Sequence, residues 1–187
     1  HVRSGRQRQM CIRDRFYPGP NNPNRRSPET LPFIDKIALA ILGPEEPELT
    51  LRQGRTLFEH NVPLMVDPGQ VISAFSRDQI RELLSLAQYL VVNHHEFEVL
   101  KTNAELTDKE VFDQVAEVIL THGDKGVTIY SRDGICQVDA VRDVKVDEVT
   151  GCGDAFRAGY AYGILNNLNL KERGQVCLLY TSPSPRD

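Results

Sequence analysis

The sequence predicts an α/β fold with a mostly parallel central sheet. Two observations carry this: short apolar runs bounded by Pro, Gly or Asn recur along the chain, and most are separated by stretches with helical spacing. A third is size, since about 160 residues of ordinary apolar content suffice to bury one core.

The elements follow in order. Phe16–Pro32 carries five prolines and little periodicity, and reads as loop or linker. Phe33–Gly43 ("FIDKIALAILG") reads as a buried strand between Pro32 and Gly43. After Pro47, Leu49, Leu51, Leu57 and Phe58 fall near helical spacing, and Val62–Gly69 is a second buried strand ended by an Asp-Pro-Gly turn. Ser76–Ala87 is a helix with Ser76 as its N-cap, and Tyr89–Asn93 a third strand. Val111, Val115, Val118 and Ile119 make one stripe of a helix over Thr107–Leu120. Gly126–Ser131 and Ile135–Ala140, joined by a tight turn, form a strand pair, and Asp154–Asn167 is the last helix. Ligands of such sheets bind at the carboxyl ends of the strands.

The two ends read as foreign to this pattern. "MCIRDR" (Met10–Arg15) and "CLLYTS" (Cys177–Ser182) can be written as reverse complements of one DNA segment, and the pair resembles the inverted transposon end of a sequencing adapter. Residues 1–15 and 177–187 are therefore expected to be non-native tails, with residues 16–176 the genuine part. The whole chain has 22 basic and 26 acidic residues; without the tails 16 and 24 remain, a distinctly acidic balance that argues against a nucleic-acid partner. Of four cysteines, Cys136 and Cys152 lie between the tails, without a C-x-x-C pair, so neither a zinc site nor a disulfide framework is expected. No apolar run reaches membrane-span length, no signal peptide is visible, and the expected location is the cytoplasm.

The segment richest in chemical implication is "VDEVTGCGDAFRAGYAYG", Val146–Gly163. A glycine turn at Gly151, Cys152 and Gly153 lets backbone amides converge, and the helix that follows adds its unpaired N-terminal donors and dipole, which together make an anion cradle. Asp154 at the helix mouth would lie beside the cradled anion, where a carboxylate can orient a hydroxyl and take its proton. Taken alone, G-x-G-D is more often a turn and a helix cap. A dinucleotide fingerprint is excluded because Phe156 occupies the third glycine place, and a Walker loop because Gly-Lys-Ser/Thr is missing.

Two further motifs lie upstream in order: "NHHE", giving Asn93 and Glu96 directly after a strand, and "THGDKG", Thr121–Gly126. The three together resemble the signatures of the ribokinase-like (PfkB) carbohydrate and nucleoside kinases. Glu148, Val149 and Cys152 depart from the residues usual there, while the glycines, Asp154 and Arg157–Gly159 match. The resemblance implies a three-layer ribokinase-like fold, incomplete in this chain, and an ATP- and Mg²⁺-dependent phosphotransferase. It makes Asp154 the base that activates the acceptor hydroxyl, with Gly151, Cys152 and Gly153 the anion hole. It gives Asn93 and Glu96 the task of organising Mg²⁺ and phosphate through waters, and Thr121, Gly123 and Gly126 that of lining the nucleotide. A monovalent-cation site is associated with the segment at which Glu148 is a departure.

"FYPGP" and "TGCGDAFRAGYAYG" are most similar to bacterial members known as adenosine kinases, so the expected acceptor is adenosine, with a sugar of the ribokinase or fructokinase type the alternative. The chain is expected to be an interior fragment supplying the nucleotide and catalytic half, inactive alone, or as it stands a non-catalytic remnant. His94 and His95 read as surface or supporting residues, since adjacent histidines on one element diverge. His122 faces nucleotide or solvent. Arg157 either pairs with Asp154 one turn away or touches phosphate, and Asp67 is a turn residue.

Overall fold

The computed structural model describes residues 32–140 and 152–181. The whole of the expected tail 1–15, the expected loop Phe16–Pro32 up to residue 31, Glu148, Val149, Gly151 and the last six residues of the expected tail 177–187 lie outside the described residues.

Six strands form one sheet in sequence order: β1 (Ala40–Leu42), β2 (Leu64–Val66), β3 (Tyr89–Asn93), β4 (Glu117–Thr121), β5 (Val127–Ser131) and β6 (Gly134–Val138). The first four are parallel, and β5 and β6 each run antiparallel to the preceding strand. The helices are α1 (Pro47–Glu59), α2 (Arg77–Leu86), α3 (His94–Ala104), α4 (Asp108–Gln114), α5 (Cys152–Leu165) and α6 (Leu170–Thr181).

Parallel strands need crossover connections, and the crossovers put helices over the sheet. Alternation along each strand then divides the core in two. Leu64, Val66, Leu90, Val92, Val118 and Leu120 face α1–α4, against Leu51, Leu57, Ile80, Leu84, Phe97, Leu100 and Val111. Met65, Val91, Ile119, Val127 and Ile129 face the other way, against Phe156 and Tyr160 of α5 and Cys177 and Leu178 of α6. Burial on both faces is why the strands read as continuous apolar runs. Each fully buried Leu, Val or Met there contributes roughly 1.5–3 kcal/mol before entropy is counted.

Local sequence sets the helix starts. Pro47 occupies the first turn of α1, and the Glu46 carboxylate accepts from the Leu49 amide. Capping boxes open α2 (Ser76, Gln79), α3 (Asn93, Glu96) and α4 (Thr107, Glu110).

Three expectations are corrected. Phe33–Gly43 is not one strand: Ile34–Lys36 forms a 3₁₀ turn and only Ala40–Leu42 pairs with β2. The helix expected over Thr107–Leu120 ends at Gln114; Val115 is extended and Glu117–Thr121 is the central strand β4. Its valines and isoleucine satisfy both periods at once, and the empty sheet position between β3 and β5 decides for strand. Helix α3, which the sequence reading does not assign, follows β3 directly, its buried Phe97, Leu100 and Ala104 one and two turns apart.

Helices α5 and α6 pack closely because Gly163 brings the backbones together: a Cβ there would meet Arg173 Cγ at 2.8 Å and Cα at 3.3 Å. Helix α6 crosses the boundary at residue 177, and Cys177 is buried, which pushes its thiol pKa up to about 12. Below them, the Tyr160 hydroxyl donates to Glu117 Oε2 at 2.6 Å and Arg173 Nη1 to Glu117 Oε1 at 2.7 Å, so a mostly buried carboxylate at the start of β4 ties both helices to the sheet. Burial, then the Glu117 charge, raises the Tyr160 pKa far above its ordinary value. Tyr160→Phe should lower unfolding stability by about 1.5–3 kcal/mol, since it removes a hydrogen bond to a charged group, and chemical denaturation will measure it. A loss near zero would mean that Arg173 alone satisfies Glu117.

Candidate active site

The ends of β1 and β2 reach α5 at Arg157. Helix α5 begins at Cys152, two residues before the expected Asp154, so Cys152, Gly153 and Asp154 all belong to its first turn. Amides at that position have no acceptor within the helix, and the dipole adds partial positive charge. A Cβ built on Gly153 would meet nothing within 4 Å, so the space in front of this turn is open. Gly151 lies outside the described residues.

The Asp154 side chain is 77% exposed and accepts from Arg157 Nη2. Arg157, only 12% exposed, reaches across to Asp67 at the end of β2, its Nη1 2.5 Å from Asp67 Oδ2. Asp67 is 14% exposed, and its other oxygen accepts from the Gly69 amide at 3.0 Å. Burial raises the Asp67 pKa, against the pull of Arg157 and the Gly69 amide. The Asp-Pro-Gly segment is thus a turn, as expected, and also the anchor of an ion pair ninety residues away in sequence.

Asn93 caps α3. Its Oδ1 accepts from the Glu96 amide and Glu96 Oε2 accepts from the Asn93 amide, both at 2.9 Å. Burial, with the negative charge of Asp67 nearby, raises the Glu96 pKa. The two carboxylates therefore repel across the ends of β2 and β3. Among the described residues no group of three or more His, Cys, Asp and Glu gathers as a metal cage. Two mutually repelling carboxylates are nevertheless the hard oxygen donors that suit Mg²⁺ held largely by water.

Asn93 pairs in register with Thr121, whose hydroxyl lies 3.4 Å from the Val92 carbonyl oxygen. Thr121 therefore closes the same end of the sheet. Beyond it the His122 amide donates to the Gly126 carbonyl, and His122 Nε2 lies 2.8 Å from Thr128 Oγ1, which turns the ring back onto β5. Gly123 has φ +61° and open space around it. Gly126 has φ +99°, and a Cβ there would fall 2.0 Å from the Val138 carbonyl oxygen, so the β5–β6 packing itself demands glycine.

Residues 16–177 match the model of the pfkB family of carbohydrate kinases. The chain belongs to that family. A nucleoside kinase from Burkholderia thailandensis, solved with inosine, is 35% identical with a TM-score of 0.76, covering 78% of this chain and 49% of that one. Nucleoside kinases of Methanocaldococcus jannaschii and Methanothermobacter thermautotrophicus are 28% and 30% identical over 70% and 75% of this chain and 43% and 45% of theirs. The chain thus spans about half the length of the curated relatives it matches. An adenosine kinase of Trypanosoma brucei brucei, 19% identical with a TM-score of 0.67, shares the fold.

Asn93, Glu96 and Thr121 thus lie at the carboxyl ends of neighbouring strands, and Asp154 of α5 is linked to that side through Arg157 and Asp67, two residues that sequence reasoning left as one of two roles and as a turn. An aspartate closing a parallel strand was the available signal for Asp67. No described helix is long and apolar enough to cross a membrane.

Because the folded-state pKa of Glu96 lies above its unfolded value, its contribution to stability is complete below the ordinary carboxylate pKa of about 4.3 and is lost as pH rises through the raised value. Glu96→Gln should flatten the fall in stability between those limits. Thermal unfolding across pH 4 to 8 tests this, and an unchanged slope would show that Glu96 ionises freely.

Proposed function

We propose that this chain is the nucleotide and catalytic half of an ATP-dependent kinase that phosphorylates a hydroxyl of a nucleoside, with residues 1–15 and 177–187 adapter-derived. The observation that carries the proposal is the exposed Asp154 carboxylate in the first turn of α5, linked through Arg157 to Asp67, whose charge acts in turn on Glu96 of the Asn93–Glu96 box.

In this reading Asp154 accepts a hydrogen bond from the acceptor hydroxyl, directs its oxygen at the γ-phosphorus, and takes the proton as the new P–O bond forms and the bond to ADP breaks. Gly151, Cys152 and Gly153 present backbone amides to the oxygens of the phosphoryl group in flight, where pre-set donors lower the barrier most. Glu96 and Asn93 would be the residues that hold Mg²⁺, through waters, and such an ion would supply positive charge against the phosphates. Thr121 and Gly123 border the nucleotide, while Gly126 shapes that border.

Nucleoside rather than sugar is favoured by the inosine complex of the Burkholderia relative. Adenosine is one purine nucleoside within that class. The sugar reading keeps the support of a Lactococcus lactis ribokinase, 27% identical over 74% of this chain.

The test uses the full-length reading frame that carries this chain, offered ATP with inosine, adenosine, ribose or fructose 6-phosphate. A nucleoside should be phosphorylated with the highest kcat/KM; preference for ribose would transfer the assignment to sugars. Asp154→Asn should cut kcat on the order of 10²- to 10⁴-fold with ATP binding nearly unchanged. Undiminished turnover would remove Asp154 as the base.

A further inference from the structure

Arg157 is held more firmly than the residue it serves. Asp67 is fixed at three points: its amide donates to the Leu42 carbonyl of β1 at 2.9 Å, Oδ1 accepts from Gly69, and Oδ2 accepts from Arg157 Nη1. Both carboxylate oxygens are engaged, so the group cannot rotate without losing a partner. The end of β1 closes on the same guanidinium, because a Cβ at Gly43 would come within 3.9 Å of Arg157 Nη1. A guanidinium is planar and rigid, so anchoring Nη1 fixes the direction of Nη2. That second arm meets Asp154, whose carboxylate is otherwise open to solvent.

We propose that Arg157 is a positioning residue: anchored by Asp67, its fork fixes the orientation of the Asp154 carboxylate. The proposal rests on the reading of Asp154 as base. A phosphate ligand is the competing role, but the two terminal nitrogens that would grip phosphate are each taken by a carboxylate. A helix-surface ion pair is the other, and an 88%-covered guanidinium spanning two elements is not one. The charged groups facing the pair are Asp67 from the β2 turn and, beyond it, Glu96 and His95 from the first turn of α3.

The experiment compares Arg157→Lys, Arg157→Gln and Asp67→Asn in the full-length reading frame. Lysine keeps the charge and loses the fork; Asp67→Asn keeps the fork and weakens its anchor, and serves if an Arg157 variant fails to fold. All three should lower kcat on the order of tenfold to a hundredfold with the KM for ATP near that of the parent. In Arg157→Gln the ¹³C carboxyl resonance of Asp154 should shift and broaden as its fixed partner is lost, and in Arg157→Lys it should do so less. A tenfold rise in the KM for ATP at unchanged kcat would make Arg157 a phosphate ligand and overturn the proposal. So would Arg157→Lys as active as the parent, or a loss of thermal stability alone with the Asp154 resonance unmoved. If Asp154→Asn is inactive but that resonance does not respond to Arg157→Gln, only the positioning role fails; if Asp154→Asn is active, the reading of the base fails and takes this role with it.

Discussion

The ion pair between Arg157 and Asp67 is the contact on which the site depends. A helix lying across a parallel sheet is held there by apolar packing, which has no direction and tolerates sliding by fractions of an ångström. Phase and height along the helix axis need directional contacts. Arg157 supplies one at the amino end of α5, where its fork ties the first turn to the end of β2. The Tyr160–Glu117 hydrogen bond supplies a second from the middle of the same helix, on the start of β4. Two directional ties to two different strands leave α5 little freedom to rotate or shift, and Asp154 inherits that rigidity.

The same arrangement divides the molecule by purpose. The Glu117, Tyr160 and Arg173 cluster sits at the amino end of β4, and its polar groups are satisfied by one another. Asp67, Glu96 and Asp154 sit at the opposite ends of the strands, where charge is less evenly balanced: burial raises Asp67 and Glu96, the charge of Asp154 adds to the first and that of Asp67 to the second, and Asp154 faces water. Unrelieved charge at the carboxyl ends of a parallel sheet belongs to a place where ligands bind, whereas balanced charge at the amino ends belongs to the scaffold.

How much of this the sequence discloses depends on the range of the interaction. The N-cap at Ser76 is a local signal, and the strand runs at Val62–Gly69 and Tyr89–Asn93 carry their own burial in their composition, so these elements are legible, whereas the helix opened by the Asn93 box goes unread because the box directly follows a strand. The helix–strand boundary at Val115 is not, because "VFDQVAEVIL" suits either period and the choice is made by the gap between β3 and β5. The three-residue strand β1 is hidden within a longer apolar run, since only its pairing with β2 defines its length. For the candidate site, Asn93, Glu96, Thr121 and Asp154 lie within short motifs, which is what makes them visible as candidates in the sequence. Asp67 and Arg157 recognise each other across ninety residues, and neither shows its partner locally.

Charge explains why the site has the composition it does. The chain is acidic overall, and a polyanion approaching it meets repulsion at long range. At the site three carboxylates face one guanidinium, and that guanidinium is consumed by two of them. The helix amides can bind one phosphoryl group, since they add up to about half a unit charge at the N-terminus. They cannot offset a whole triphosphate against Asp67, Glu96 and Asp154 as well. On the proposed reading a hard cation would make up that deficit, and Glu96, whose carboxyl is raised by burial and by the nearby charge of Asp67, is where it would be held.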